Sequence, residues 1–431
     1  MRERYYIEDA AKHVGREVTL EGWLSGMRSS GKILFMQLRD GTGFMQCVAS
    51  VSDVGEESFE RAAALTHESS LRVTGTVRAD ERAPGGHELS VSGIEVVHAA
   101  EEYPITPKEH GTSFLMDHRH LWIRSSRQFA VLRIRATIMS AARRFLDSNG
   151  FIELDTPILT PSACEGTTTL FETTYFGQKA YLTQSGQLYN EATAMAFGRV
   201  YCCGPSLRAE KAKTRRHLIE FWQIEPEIAF ADLDDVMDIE EEMVCAMVSE
   251  VLRDRGTELS MLERDMEALR RVEPPFPRIT YTDAVELLEK SGTQFQWGAD
   301  FGAEEETVLS KQFDRPVLVH RYPRDAKPFY MENDPEDPSV TLSVDMLAPE
   351  GYGEIVGGGQ RLMDVDRLSE RIDAEKMPKE DYQWYLDLRR YGSVPHGGFG
   401  LGIERFVAWV CGIRHIRETI PFPRMLNRLR P

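Results

Sequence analysis

Five short segments in the first hundred residues alternate between apolar and polar side chains, the pattern of strands that bury one face. Turn-forming sequences separate them, among them Asp40-Gly41 and Pro84-Gly85-Gly86. The segments cover residues 18–24, 33–39, 44–49, 71–77 and 89–97. They predict a five-stranded barrel over residues 1–102, of the OB type whose open face commonly binds oligonucleotides. The pattern leaves a purely structural β-domain open as the alternative.

The rest of the chain predicts one large unit that mixes helices and strands. A polar connector at 103–127 precedes it, and amphipathic helices are predicted at 129–149, 233–255 and 406–413. The second helix carries an acidic run, which we expect to face solvent. Residues 257–340 are rich in proline and charge, and they predict an insertion within a domain spanning 128–431.

Composition excludes several classes of protein. With 42% hydrophobic residues the chain is not disordered, and it contains no run of about 18 apolar residues that would span a membrane. The charged N-terminal segment argues against secretion, and six cysteines without a Cys-x-x-Cys pair indicate reduced thiols in the cytosol, without structural zinc. A net charge of −18 argues against a non-specific polyanion binder, but it permits a nucleic-acid site built from a local patch.

Three stretches carry residues suited to chemistry. They are Gly150-Phe-Ile-Glu-Leu-Asp-Thr-Pro157, the basic segment from Arg208 to His217 followed by Glu220-Phe-Trp222, and Gly397-Gly-Phe-Gly-Leu-Gly402-Ile-Glu-Arg405. Glycines allow close backbone approach, and Arg405 falls in the first turn of a predicted helix. Taken singly, each stretch is weak evidence, since a glycine run is often only a tight turn.

In this order, the three stretches resemble the signature motifs of class II aminoacyl-tRNA synthetases. The chain is similar nearly end to end to the aspartate/asparagine/lysine subgroup, which has an N-terminal OB domain, and within it to the bacterial asparagine-specific members. The resemblance implies an α+β fold, in which an OB barrel precedes a catalytic domain with a six- or seven-stranded antiparallel sheet flanked by helices. It also implies a homodimer, with Pro157 at the interface.

The same resemblance implies ATP and Mg²⁺ as cofactors. Joining a carboxylate to an α-phosphate brings negative charges together, so the catalyst must supply fixed positive charge and metal. Arg208 is expected at the α-phosphate and Arg405 at the γ-phosphate. Glu210 is expected to read adenine, His217 to reach the outer phosphates and Phe221 to stack on one adenine face, with Arg405 covering the other. Asp345 and Glu354 match the two magnesium-binding acids.

The amino-acid pocket is expected to distinguish asparagine from aspartate. The residues that match it are Glu165, Gln184, Gln187, Asn190, Glu191 and Arg361. Aspartate-specific members typically carry Lys and Gln where this chain has Asn190 and Glu191. A like-charge pair at 4 Å costs roughly 4 kcal/mol at an effective dielectric near 20, so an anion at position 191 favours asparagine, whose amide would donate to Glu191 and accept from Arg361.

The expected partners are tRNA(Asn), asparagine, ATP and a second copy of the chain. On the barrel, Phe35 and Gln46 match positions that read the middle anticodon base, and Arg28, just before the second strand, is suited to phosphate or base. The arginine-rich stretch 414–431 would either meet the acceptor arm of the tRNA or hold the C-terminus in place.

Three alternatives compete with asparagine ligation to tRNA. One is an aspartyl-tRNA synthetase, including a non-discriminating one that accepts more than one tRNA. A second is a tRNA-independent amide-forming ligase, a group whose members generally lack the OB domain. The third is a regulatory protein that keeps the fold without catalysis, a reading that the presence of Arg208, Arg405 and both acids opposes.

Overall fold

The structure is a computed structural model that describes residues 4–431, apart from the side chains of Pro84 and Thr167. It divides into two compact units, one up to Trp122 and one from Ile123 to Pro431. None of the helices within the described range is both long and apolar enough to span a bilayer.

The first unit contains the predicted barrel. Its strands are β1 Glu17–Ser30, β2 Ile33–Arg39, β3 Phe44–Ser50, β4 Ser70–Ala79 and β5 His87–His98. They close in the order β1-β2-β3-β5-β4, with β1 paired to β4. The alternating apolar residues fill the interior, which includes Leu20, Leu34, Cys47, Val73 and Leu89. The OB-type barrel is therefore confirmed, but β1 runs on to Ser30, so Arg28 lies within that strand rather than ahead of β2.

Four short helices complete the first unit. They are α1 Val51–Val54, α2 Glu56–Ala63, α3 Thr112–Asp117 and α4 Arg119–Trp122. The last two lie inside the stretch predicted as a connector, 103–127, and the compact units divide within that stretch. The segment thus contains helical structure, where its polar composition indicated only a linker.

The second unit is built on an eight-stranded sheet. In chain order its strands are β6 Ile152–Glu153, β10 Arg199–Leu207, β11 Glu220–Ala229, β12 Arg278–Thr280, β13 Val317–His320, β14 Ser343–Ala348, β15 Gly353–Gln360 and β16 His396–Gly402. Their spatial order is β12-β13-β14-β15-β16-β11-β10-β6. A separate small sheet contains β7 Leu159–Thr160, β8 Glu172–Tyr175 and β9 Gln178–Leu182.

The expected sheet flanked by helices is confirmed, but it has eight strands rather than six or seven, and the outermost pair at each edge is parallel. The central strands pair antiparallel, whereas β6 pairs with β10 and β12 with β13 in parallel. Parallel neighbours need a long crossover connection, and helices lie within both connections. Because β12 and β13 extend the main sheet, residues 257–340 are in part a continuation of the catalytic core rather than only an insertion.

Ten helices lie in the described part of this unit. They are α5 Ser126–Ser148, α6 Gln187–Phe197, α7 Leu233–Asp254, α8 Gly256–Met261, α9 Met266–Arg270, α10 Tyr281–Lys290, α11 Ala303–Ser310, α12 Val365–Ala374, α13 Gln383–Arg390 and α14 Ile403–Cys411. Helices α5, α7 and α14 pack their apolar residues against the sheet in the largest core cluster. A capping box between Asp232 and Asp235 starts α7.

The acidic run on α7 is only partly exposed, contrary to expectation. Glu240 and Glu241 are buried. Glu241 accepts the backbone N–H of Phe276, while Glu240 lies beneath the sheet at Gly358, and burial holds its pKa well above its usual value. On the helix Glu240 lies one turn after Val236 and one turn before Val244, in the middle of the buried face, whereas Glu241 lies at the edge of that face.

Candidate active site

A cavity of about 350 Å³ opens on the face of the large sheet. The residues that line it come from strands β11, β14, β15 and β16, from α11 and α14, and from the segments before α11, after β13, after α14 and between β10 and β11. Every residue predicted for ATP or metal is among them: Arg208, Glu210, His217, Phe221, Asp345, Glu354 and Arg405. Sequence positions up to 197 residues apart thus converge because the strands carrying them are neighbours in the sheet.

The β10–β11 hairpin positions the second motif. Arg208 directly follows the end of β10, and its guanidinium carbon lies 5.4 Å from the centroid of the Phe221 ring on β11. Burial tends to lower the pKa of Arg208, but the Glu165 and Glu210 carboxylates outweigh that effect and raise it. The His217 imidazole lies 3.6 Å from Glu210. The hairpin therefore presents a permanent cation beside an aromatic face, as a nucleotide site requires.

The two acids predicted as metal ligands share one face of the sheet. Asp345 on β14 is opposite Gly357 on β15, and an extra residue in β15, Ile355, shifts the register so that Glu354 points to the same side. A Cβ at Gly357 would lie 3.2 Å from Glu354 Oε1 and 3.4 Å from Asp345 Oδ1. The glycine therefore leaves a space between two carboxylates that a larger residue would fill.

Two cations hold this acid pair, of which the sequence singled out Arg405 but not Lys327. Lys327 Nζ donates to Asp345 Oδ2 at 2.6 Å, and Arg405 Nη1 contacts Glu354 Oε2 at 2.9 Å. Burial raises the pKa of Asp345 to about 6, helped by Glu354, despite Lys327. Burial also tends to raise the pKa of Glu354, but Arg405 and Lys327 outweigh it and lower that pKa.

These donors suit Mg²⁺ rather than a metal held wholly by protein. Among the described residues no group of three or more His, Cys, Asp or Glu side chains forms a metal cage. Two carboxylates that border a cavity supply oxygen ligands and leave positions for water and phosphate, which is the usual way that proteins bind Mg²⁺.

Next to the cavity, Gln184 fastens the loop that carries Glu165. Its Oε1 accepts the N–H groups of Cys164 and Glu165, both at 3.1 Å, and its Nε2 donates to Gly166 O and Thr169 Oγ1. The Glu165 carboxylate accepts from the Tyr330 hydroxyl at 2.8 Å and lies 3.9 Å from Arg208. Glu165 is thus placed at the cationic end of the cavity, while Gln184 acts through the backbone around it.

Asn190 and Glu191, predicted to set amino-acid choice, lie deeper than expected. Both are 0% exposed. Asn190 Nδ2 donates to the carbonyl of Glu225 at 2.8 Å. Glu191 accepts from Arg389 Nη2 at 2.6 Å, from the Tyr385 hydroxyl at 2.7 Å and from Gln187 Nε2 at 3.1 Å, and His396 Nε2 lies at 3.2 Å.

This network corrects the electrostatic argument from the sequence. Burial alone would raise the pKa of Glu191, but Arg389 and His396 overcome it, so the carboxyl has a lowered pKa and stays ionised. Because Arg389 balances that charge, Glu191 is not the free anion whose repulsion was expected to exclude aspartate. Arg361 is likewise paired, with Glu227, and is 1% exposed.

Two acids and two basic residues near this pocket were missed. They are Glu225, Glu227, Arg389 and His396. Glu225 accepts from the Ser185 hydroxyl and from Gly186 N, and burial raises its pKa. Arg389 is 198 residues from Glu191 in sequence, so no spacing within a motif could have linked them.

The barrel residues predicted to read the anticodon share its outer surface. Arg28 is opposite Phe35 across β1 and β2, and its guanidinium carbon lies 4.4 Å from the Phe35 ring centroid. Gln46 on β3 has its Nε2 3.2 Å from Glu88 Oε2. The strand pairing puts the three side chains on one face.

Two further predicted surfaces lie on the second unit. Pro157 is exposed beside two exposed apolar residues, Ile158 and Leu159, at 50% and 42%. The C-terminal stretch is fastened to the loop after β10, since Ile219 N donates to Arg424 O and Ile416 N to Arg215 O. These bonds hold the C-terminal stretch in place, and its contact with the acceptor arm of the tRNA stays a prediction.

Comparison with known proteins shows extensive similarity. A family described as tRNA synthetases class II (D, K and N) matches residues 111–426, and an OB-fold nucleic acid binding domain matches residues 18–97. Asparagine–tRNA ligases of Desulforamulus reducens and Pelotomaculum thermopropionicum are 58% and 56% identical to the chain; the matches cover 99% and 100% of the chain and the same shares of the two ligases.

Solved structures agree with these matches. Asparaginyl-tRNA synthetase from Pyrococcus horikoshii, complexed with asparaginyl-adenylate, aligns with a TM-score of 0.95 at 49% identity, over 100% of both chains. An aspartyl tRNA synthetase from Entamoeba histolytica aligns with a TM-score of 0.83 at 26% identity, over 100% of this chain and 93% of that one. The similarity is thus greater to the asparagine-specific protein than to the aspartate-specific one.

Proposed function

We propose that the protein attaches asparagine to tRNA(Asn) in a reaction that consumes ATP. The chain belongs to the class II tRNA synthetases of the D, K and N group. The reaction passes through asparaginyl-adenylate and releases AMP and pyrophosphate. The observation that carries the proposal is the near-complete alignment, at 49% identity, with a synthetase complexed with asparaginyl-adenylate.

In the activation step, an oxygen of the asparagine carboxylate attacks the α-phosphorus, and the bond to the bridging oxygen of pyrophosphate breaks. Arg208 offers a fixed positive charge to the α-phosphate, and Arg405 does so for the γ-phosphate. Adenine lies against Phe221, with Glu210 at its edge and His217 towards the outer phosphates. This orientation places the phosphate chain between the two arginines that border the cavity.

Asp345 and Glu354 are the residues that would hold Mg²⁺. When bound, the ion would neutralise phosphate charge and help to fix the geometry of the phosphate chain. Lys327 and Arg405 balance the two carboxylates and keep them oriented towards the same point.

We expect Asp345→Asn to raise the Mg²⁺ concentration needed for half-maximal activation by at least about tenfold, since it removes an anionic oxygen while keeping the side-chain shape. The measurement is asparagine-dependent ATP–pyrophosphate exchange across a Mg²⁺ titration. Asp373→Asn, which changes an exposed acid paired with Lys379, is the matched control. A titration that is the same for both variants would contradict the assignment of Asp345.

Asparagine is proposed as the amino acid. The residues proposed to surround it are Glu165, Gln187, Asn190, Glu191 and Arg361, and Gln184 is proposed to support the loop that carries Glu165. Since Asn190 and Glu191 are buried, we propose that they act by fixing Arg361 and its neighbours rather than by touching the substrate. ATP–pyrophosphate exchange with asparagine or aspartate as the sole amino acid tests the function. Exchange that depended on aspartate rather than on asparagine would favour an aspartyl enzyme instead.

The barrel is proposed to bind the anticodon of tRNA(Asn) with Arg28, Phe35 and Gln46. Phe35→Ala is expected to cost about 1–3 kcal/mol in tRNA recognition, because a base loses its stacking surface. The KM for tRNA in aminoacylation measures the loss, while asparagine-dependent exchange should not change.

Val97→Ala, an exposed apolar residue on β5 of the same barrel, is the control. Thermal unfolding of both variants checks that the barrel stays folded. Equal losses in exchange and in aminoacylation would contradict an anticodon role for Phe35.

We further propose that the protein is a cytosolic homodimer. The apolar surface at Ile158 and Leu159 beside Pro157 supports a partner surface there, and six cysteines that are all free support a reducing compartment. Sedimentation of Ile158→Asp against the unmodified chain tests the dimer, with a shift towards monomer expected.

A further inference from the structure

A second cavity, of about 990 Å³, adjoins the first one at the end occupied by Arg405. Arg216, Ala303, Arg405 and Ile416 line both cavities and form the shared wall. We call this second cavity the outer groove. Its other walls come from the loop before His217, from α11 and from the segment after α14.

Four cations of the outer groove have no partner within the described residues. The side chains of Lys213, Arg215, Lys311 and Arg414 are exposed and take part in no ion pair or hydrogen bond there. Two acids line the same groove, of which Glu350 is paired with Arg264, so Glu304 alone is left to oppose them. Such a concentration of unpaired positive charge is unusual in a chain whose net charge is −18.

The arginines of the shared wall differ from these four. Arg216 Nη1 contacts Glu306 Oε2 at 2.9 Å and its Nη2 donates to Gly351 O at 2.6 Å, while Arg405 is paired with Glu354. They are held in place as parts of the wall. The four exposed cations are not held by a partner among the described residues, so their side chains can reorient to contact an anion in the groove.

We propose that the outer groove is a binding site for inorganic pyrophosphate on its way out of the active site. The proposal rests on the proposed function, in which the γ-phosphate lies at Arg405. When the carboxylate oxygen bonds to the α-phosphorus, the bridging oxygen leaves with the electron pair, and pyrophosphate carries the negative charge. The former γ-phosphate of pyrophosphate then lies next to Arg405 in the shared wall. On the other side of that wall are the four unpaired positive charges of the outer groove.

Pyrophosphate fits this place better than the phosphates of tRNA do, because the groove adjoins the active-site cavity at Arg216 and Arg405, the end where the γ-phosphate is proposed to lie. A site for departing pyrophosphate must also be used in reverse when pyrophosphate attacks the adenylate. The KM for pyrophosphate in exchange therefore reports on it, whereas the KM for ATP reports on the inner cavity.

The test is the double variant Lys311→Gln with Arg414→Gln, two exposed side chains whose loss should leave the fold intact. Lys290→Gln with Arg253→Gln makes the same change of charge on exposed residues of the same unit, outside both cavities. We measure the KM values for pyrophosphate and ATP in asparagine-dependent exchange, and the KM for tRNA in aminoacylation.

We expect the KM for pyrophosphate to rise about threefold to tenfold in the groove variant at low ionic strength, since two exposed charge contacts are lost. The effect should shrink in high salt, and the KM for ATP and the control variant should change by less than about twofold. A KM for pyrophosphate equal to that of the control would overturn the inference. If only the KM for tRNA rose, the groove would belong to tRNA. Absence of asparagine-dependent exchange in the unmodified chain would instead refute the proposed function.

Discussion

Arg405→Ala is expected to lower asparagine-dependent ATP–pyrophosphate exchange by at least about 10²–10³-fold, the range found when one charge-stabilising donor is removed from an active site. The variant loses the positive charge proposed for the γ-phosphate. It also frees Glu354, whose carboxylate Arg405 contacts at 2.9 Å, so an uncompensated anion then faces the phosphates.

The fold should survive this change, because Arg405 borders the cavity and is only partly buried. Arg253→Ala, which removes an exposed arginine on α7, serves as the matched control. Exchange close to that of the control in a folded Arg405→Ala protein would refute the role of the third motif. A second variant, Arg405→Lys, separates charge from shape, since it keeps the charge but loses the planar guanidinium.

Arg389→Met is expected to lower the free energy of unfolding by about 3–5 kcal/mol, the usual cost of removing one partner from a buried ion pair. Both side chains of the Arg389–Glu191 pair are 0% exposed, so water cannot replace the lost cation. Chemical denaturation at neutral pH measures the loss. Adding Glu191→Gln to Arg389→Met should recover part of it, because the amide removes the uncompensated negative charge.

The pH dependence of stability gives an independent measure of this pair. The pKa of Glu191 is lower in the folded protein than in the unfolded chain, where it has the ordinary value of 4.5. The ionised carboxylate therefore contributes fully to stability above pH 4.5, and this contribution is lost as the pH falls from 4.5 through the folded pKa. Between pH 7 and pH 3, the unmodified chain should therefore lose more stability than Glu191→Gln does. Equal losses for the two proteins, or an Arg389→Met variant as stable as the unmodified chain, would contradict the pairing.

The same pair bears on amino-acid choice. Both charged groups that were expected to contact the substrate have a partner inside the protein, Arg361 with Glu227 and Glu191 with Arg389. Any change at position 191 therefore disturbs the packing around Arg361 as well as the local charge. The double change Asn190→Lys with Glu191→Gln, which the sequence suggests for a switch to aspartate, would place a lysine in a fully buried position beside Glu225.

Local pattern in the sequence determined much of this protein. Alternation of apolar residues located all five barrel strands and nearly all of their ends, except that β1 runs on from residue 24 to Ser30. A strand with one buried face must alternate whatever else surrounds it. The resemblance to known motifs was enough to name seven residues that prove to line one cavity, from Arg208 to Arg405.

The tertiary structure alone decided which charges are paired and which are free. Lys327 reaches Asp345, and Arg389 reaches Glu191 across 198 residues, while Lys213, Arg215, Lys311 and Arg414 collect in one groove without partners among the described residues. Burial and charge compensation depend on neighbours that the chain brings together only when it folds. A periodicity or a motif describes only a residue's own segment. For that reason the sequence predicted that Glu240 faces solvent and that Glu191 faces the substrate, whereas both are buried in the structure.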